Sequence, residues 1–296
     1  MKQSKEPGKE RKQRKHNFLN KHTILGVIVV MFGGFIIIEG AVGMSIAVFL
    51  KKTMGASTES GLGIGAMIGC AIVLILWFRY WSPEYKWKQL QGDWMKTWKL
   101  MMPPMLVFWI LLFGMFAYCA KGFPFGLVGL SGILEAIMAG TAEEVAFREI
   151  GLSYLARQWR DERKIIPMAM IPAVAFSLIH VGNLVQDWAL TDGLIQIMLT
   201  LFFGVFFSAV YLRTGNIWML IIMHSLHDIL ATSAGNRLDA LGMGLPDWIT
   251  SVICLIELFL CICGIYMLRK SKRAEIIALW DRKWSRETED SNEYQG

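Results

Sequence analysis

Two adjacent carboxylates and a guanidinium interrupt an apolar run in the stretch Ala142-Glu143-Glu144-Val145-Ala146-Phe147-Arg148. An ionisable group at bilayer depth costs about 2.5–3.5 kcal/mol on insertion scales, so such a cluster inside a membrane helix marks a functional site. Glu144 and Arg148 stand four apart, on one helical face, where each can neutralise the other. Glu143 is turned about 100° away and has no partner within the motif. A carboxylate withdrawn from water and left unpaired is suited to move a proton as general base or acid. The bland alternative is that all three residues only lock helices together.

Two further places carry the same kind of chemistry. Phe176-Ser177-Leu178-Ile179-His180 puts an aromatic ring and an imidazole one turn apart, with Asn183 following. Alone, an intramembrane histidine reads more often as a packed, hydrogen-bonded residue than as a reactive one. His224-Ser225-Leu226-His227-Asp228 is different, because residues i, i+3 and i+4 line one stripe, and packing does not call for three titratable groups on a stripe. Glu39, Glu135 and Glu257 are single carboxylates in the first, fourth and eighth apolar runs and read as structural.

These groups must be positioned by an all-α, polytopic membrane protein. The chain has 296 residues, 54% of them hydrophobic and only 18% charged, more apolar surface than a soluble domain needs. About eight transmembrane helices are predicted, over 24–50, 61–80, 101–120, 125–156, 165–185, 193–212, 215–233 and 248–268, enclosing an active-site cavity within the membrane. Residues 1–23 form a basic tail, 24–268 the membrane domain, with its motif-bearing core at 125–233, and 269–296 a C-terminal tail read as a surface helix that frays. The segment 83–100 is read as lying along the membrane surface. Of the 30 Lys and Arg, 25 then fall in segments on the side of the termini. By the positive-inside rule both termini are cytoplasmic, and the expected location is the plasma membrane of a prokaryote. At 1.5 Å per residue, Glu143, His180 and His224 lie about 21, 24 and 16 Å from their cytoplasmic loops, close enough in depth to meet. Gly61, Gly63, Gly65 and Gly69 on the second span include a G-x-x-x-G and predict close helix packing. Trp77, Trp81, Trp87, Trp94 and Trp98 sit where an interfacial belt would. The five cysteines lack metal-site spacing and read as buried free thiols. The basic N-terminal run fits anionic lipid; nothing else in the chain points to nucleic acid.

With these residues in view, the chain resembles the CPBP (Abi) family, which holds the type II CAAX prenyl endopeptidases and bacterial bacteriocin-immunity homologues. The family pattern E-E-x-x-x-R, F-x-x-x-H and H-x-x-x-N (or a related polar residue in the last place) is matched in order by Glu143-Glu144-x-x-x-Arg148, Phe176-x-x-x-His180 and His224-x-x-x-Asp228. The resemblance implies an intramembrane endopeptidase acting on a peptide or lipidated peptide, with membrane lipids as its surroundings. It assigns catalytic roles to Glu143, His180, His224 and Asp228 and a bracing role to Glu144 and Arg148, with Phe176, Asn183 and His227 as secondary residues. The sequence departs from the pattern at Asp228, because an ionised Asp cannot donate to an oxyanion as Asn can. No cofactor is favoured; the alternative is zinc, held by a set drawn from Glu143, Glu144, His180, His224 and Asp228. Two other functions remain: a non-catalytic immunity or receptor protein that binds peptide in the same cavity, and a proton-coupled transporter, for which no internal repeat is visible.

Overall fold

The fold was analysed in a computed structural model, which describes residues 22–55, 58–81, 92–185, 190–243 and 247–284. Among the described residues every regular element is helical. The first helix, α1 (Thr23–Met54), passes through a π-helical segment at Ile36–Gly43. It is followed by α2 (Thr58–Leu76) and α3 (Trp94–Cys119). Next, α4 (Leu130–Glu143) runs without a break through a π-helical segment, Glu144–Leu152, into α5 (Ser153–Gln158). Then come α6 (Ile165–Ile179), with a 3₁₀ extension at His180–Val185, α7 (Leu190–Thr214), α8 (Ile217–Ala240), α9 (Asp247–Met267) and α10 (Lys270–Trp284).

Seven helices among the described residues are long and apolar enough to cross a membrane. The remaining expected span is the run through α4 and α5. It has the length but carries Glu135, Glu143, Glu144, Arg148 and Glu149 in one continuous helix. That helix is where the apolar rule yields to the site. The chain is thus an all-α polytopic membrane protein, as composition implied.

Packing is tightest where glycines remove side chains. A Cβ on Gly65 would sit 2.6 Å from the Gly43 carbonyl oxygen, and one on Gly69 would sit 2.7 Å from that of Ile38. The second helix therefore lies backbone to backbone on the π-helical part of α1, as its small-residue spacing predicted. Exposed positions on the spans include large apolar residues such as Ile36, Ile75 and Ile110. All five cysteines are free.

Three expectations change. Residues 94–100 do not form a separate surface segment: Asp93 caps the helix by accepting from the Lys96 amide at 2.9 Å, so α3 starts seven residues earlier than its apolar run. Trp77 is buried in the core and not on an outer face, whereas Trp94 and Trp98 are exposed; Trp87 lies outside the described residues. The third change concerns the C-terminal segment. Through residue 284 it is not a fraying tail but a helix docked on the turn between α7 and α8. Trp280 Nε1 donates to the Leu212 carbonyl at 3.0 Å, and Lys283 Nζ donates to that of Gly215 at 2.6 Å. Burial pushes the Lys283 ammonium below its usual pKa, against the pull of Glu149. Lys96 reaches across from α3 to Glu275 at 2.5 Å. Carbonyls at the C-terminal end of α7 and in the turn after it are thereby satisfied by side chains of α10. The basic tail before residue 22 lies outside the described residues.

Candidate active site

Helices α4 and α8 meet at Gly140, where an added Cβ would come within 2.9 Å of the Ser225 backbone nitrogen. That contact brings Glu144 to His224. Gly140→Val is therefore expected to push α4 off α8, costing about 1–3 kcal/mol by overpacking. Thermal unfolding in detergent checks this; an unchanged melting temperature would mean that the two helices separate freely.

Glu144 and Arg148 are fully buried. Arg148 Nη1 donates to Glu144 Oε1 at 3.0 Å, and the guanidinium also lies over the Phe176 ring at 4.6 Å. The same Glu144 oxygen holds His224 Nδ1 at 2.8 Å. The pairing of residues four apart thus has a third member: an arginine fixes a carboxylate, and the carboxylate fixes an imidazole. With Nδ1 committed to Glu144, the other ring nitrogen is presented elsewhere. His224 Nε2 faces Glu143 Oε2 at 3.5 Å and Asp228 Oδ2 at 3.7 Å. A ring nitrogen set between two carboxylates is attracted to both when it carries a proton.

The aromatic surroundings hold these rings in place. Phe203 and Phe207 approach His224 edge to face at 5.4 and 5.7 Å, and Phe176 does so at 6.0 Å. His180 begins the 3₁₀ turn after α6; its Nδ1 lies 3.1 Å from the Phe176 carbonyl oxygen, and its ring stands edge to face with Phe176 at 5.3 Å. His227 stacks on Phe203 at 5.1 Å.

Glu143, His180, His224, His227 and Asp228 all line one cavity of about 360 Å³. Glu144 and Arg148 stand behind that wall, out of the cavity. The split between the two adjacent glutamates follows from the helical turn between them, with Glu143 facing the cavity and Glu144 facing the arginine. Phe176 also reaches the cavity. The Asn183 side chain lies outside the described residues. Among the described residues no three His, Cys, Asp or Glu side chains are gathered as metal ligands would be.

The sequence reading overlooked Glu149. It is fully buried and accepts from the Tyr211 hydroxyl at 2.5 Å, so the bracing extends one residue beyond Arg148 to α7. Its signal was present in the chain, a fourth charged group within the same apolar run. The π-helical segment that carries Glu144, Arg148 and Glu149 also had no sequence mark, although π-helical turns recur at functional sites. Gln196 and Thr200 of α7 and Glu257 of α9 complete the polar lining of the cavity, and none had been assigned to the site.

A polytopic helical membrane protein with a braced carboxylate–imidazole cluster facing an internal cavity is the class that fold and site define. Residues 124–230 match the family model described as Rce1-like, type II CAAX prenyl endopeptidase Rce1-like. Over this core the chain is similar to the type II CAAX prenyl endopeptidases, and the matched segment contains all three motifs. No curated protein and no solved structure matches the chain.

Proposed function

We propose that the protein is an intramembrane endopeptidase that cleaves a membrane-associated or small hydrophobic peptide with water activated by Glu143. The observation that carries this reading is the shared cavity of Glu143, His180, His224 and Asp228, with the Glu144–Arg148 pair held behind it. In the proposed reaction Glu143 takes a proton from water, assisted by His180, and the hydroxide adds to the peptide carbonyl. His224, oriented through Nδ1 by Glu144, donates from Nε2 to the oxyanion. The tetrahedral adduct collapses by breaking the C–N bond, and Glu143 passes its proton to the departing amine. One carboxylate thus serves as base and then as acid, and no group is left with a changed proton count. The family match at residues 124–230 supports a CAAX-type, prenylated peptide as the first substrate to try. We place the protein in the plasma membrane with both termini cytoplasmic.

Asp228 stands where the family carries Asn. Its carboxylate, 3.7 Å from Nε2, is proposed to stabilise the charged imidazole, while the donor to the oxyanion is His224 itself. Asp228→Asn is therefore expected to retain cleavage, because Asn offers the family's own donor at that position. Loss of cleavage together with loss of bound metal would overturn the orienting role and make Asp228 a ligand.

The reading is tested by incubating purified protein in detergent with farnesylated Cys-a-a-X peptides and with unprenylated hydrophobic peptides, metal content being assayed on the same samples. Cleavage by wild type that disappears in Glu143→Ala and His180→Ala, with no bound metal, is the expected result. Stoichiometric zinc lost together with activity would overturn the metal-free mechanism. Peptide binding without any cleavage would overturn the enzyme.

A further inference from the structure

Resting on the endopeptidase reading, we propose that Glu257 of α9 is a substrate-selecting residue that receives a cationic group of the peptide, a lysine or arginine side chain or a free amino terminus, inside the catalytic cavity. Glu257 lines the same cavity as Glu143 but comes from a different helix, outside the three motifs and beyond the segment matched by the family. It is 6% exposed, and among the described residues its Oε2 has no hydrogen-bond partner. A buried carboxylate oxygen left unpartnered is costly, and here it faces space that a ligand can enter.

The charge of that space points to the class of ligand. Glu143, Asp228 and Glu257 line it, with His180, His224 and His227 as its titratable nitrogens, and no Lys or Arg does. Arg148, the nearest guanidinium of the motifs, is behind the wall and committed to Glu144. His224 is held by Glu144 and faces the other two carboxylates, so Glu257 is the lining acid for which the cavity supplies no cation. An ammonium or guanidinium would meet a charge-assisted acceptor in a site sheltered from water. Gln196 and Thr200, on the facing helix α7, add neutral polar groups to the same lining.

The test uses the farnesylated and unprenylated peptide series with Lys, Gln or Glu placed at each position in turn. Cleavage rates are measured for wild type, Glu257→Gln and Glu257→Asp. Wild type is expected to favour Lys over Gln at one position by about ten- to a hundredfold in kcat/KM, the worth of one hydrogen bond to a charged group. In Glu257→Gln that ratio should fall toward one, and in Glu257→Asp, which keeps the charge, it should persist. The same peptides are titrated by direct binding to the Glu143→Gln protein, alone and combined with Glu257→Gln. A Lys preference in binding that Glu257→Gln removes, with no cleavage by wild type, would overturn the protease reading and leave the Glu257 assignment standing. Equal handling of Lys and Gln peptides by wild type at every position, in cleavage and in binding, would overturn the assignment. So would a Lys preference that survives in Glu257→Gln.

Discussion

Glu143→Gln is expected to leave the protein folded and to lower peptide cleavage by about 10²–10⁴, the usual contribution of a positioned general acid–base. Gln keeps the size and the hydrogen-bonding reach of the side chain but can neither take a proton from water nor return one. Glu143 is mostly buried and faces His224 Nε2 at 3.5 Å, a distance a side-chain amide can also span, so packing gives little reason for instability. The effect should fall on kcat with KM nearly unchanged, because the group acts on the water and not on peptide binding. A variant that unfolds at wild-type temperature and still cleaves at the wild-type rate would remove Glu143 from the chemistry. It would assign the activation of water to another group of the cavity.

Arg148→Met should have the largest effect on stability. It leaves Glu144 in a fully buried position without its cation, and breaking a buried pair from one side costs about 3–5 kcal/mol. The loss should spread, because Glu144 also fixes His224 at 2.8 Å. The double variant Glu144→Gln/Arg148→Met should recover much of the stability, since no uncompensated charge then remains. It should recover no activity, because His224 has lost its orienting carboxylate. Thermal unfolding of the two single variants and the double variant forms a complete cycle. Additive losses across that cycle would mean that the two residues do not act as a pair.

The membrane helices could be read from the sequence because apolar runs long enough to span a bilayer have few other uses. Most of the site was legible for the opposite reason: Glu143, Glu144, Arg148, His224 and Asp228 stand out against lipid-compatible surroundings. What stayed hidden depended on rotation and on distant partners. Glu257 is one acid in an apolar helix, and only the turn of α9 relative to α7 decides whether it faces lipid, protein or the cavity. Glu149 finds Tyr211 sixty-two positions along the chain, a pairing that no local spacing encodes. The π-helical turn at Glu144–Leu152 is made by residues that would serve equally in an α-helix. The C-terminal helix was read as loose because its charges are mixed in sign, yet Trp280 and Lys283 happen to meet two backbone carbonyls.

That docking has a consequence for the order in which the molecule is completed. A chain emerges from the ribosome amino end first, and its parts fold as they become available. The carbonyls of Leu212 and Gly215 meet Trp280 and Lys283, each 68 residues further on. The corner between α7 and α8 therefore waits for α10 to be synthesised before it closes. Tyr211, which holds Glu149 beside the motif arginine, lies next to that corner. The nascent protein therefore carries its reactive residues well before it acquires the clamp that steadies them.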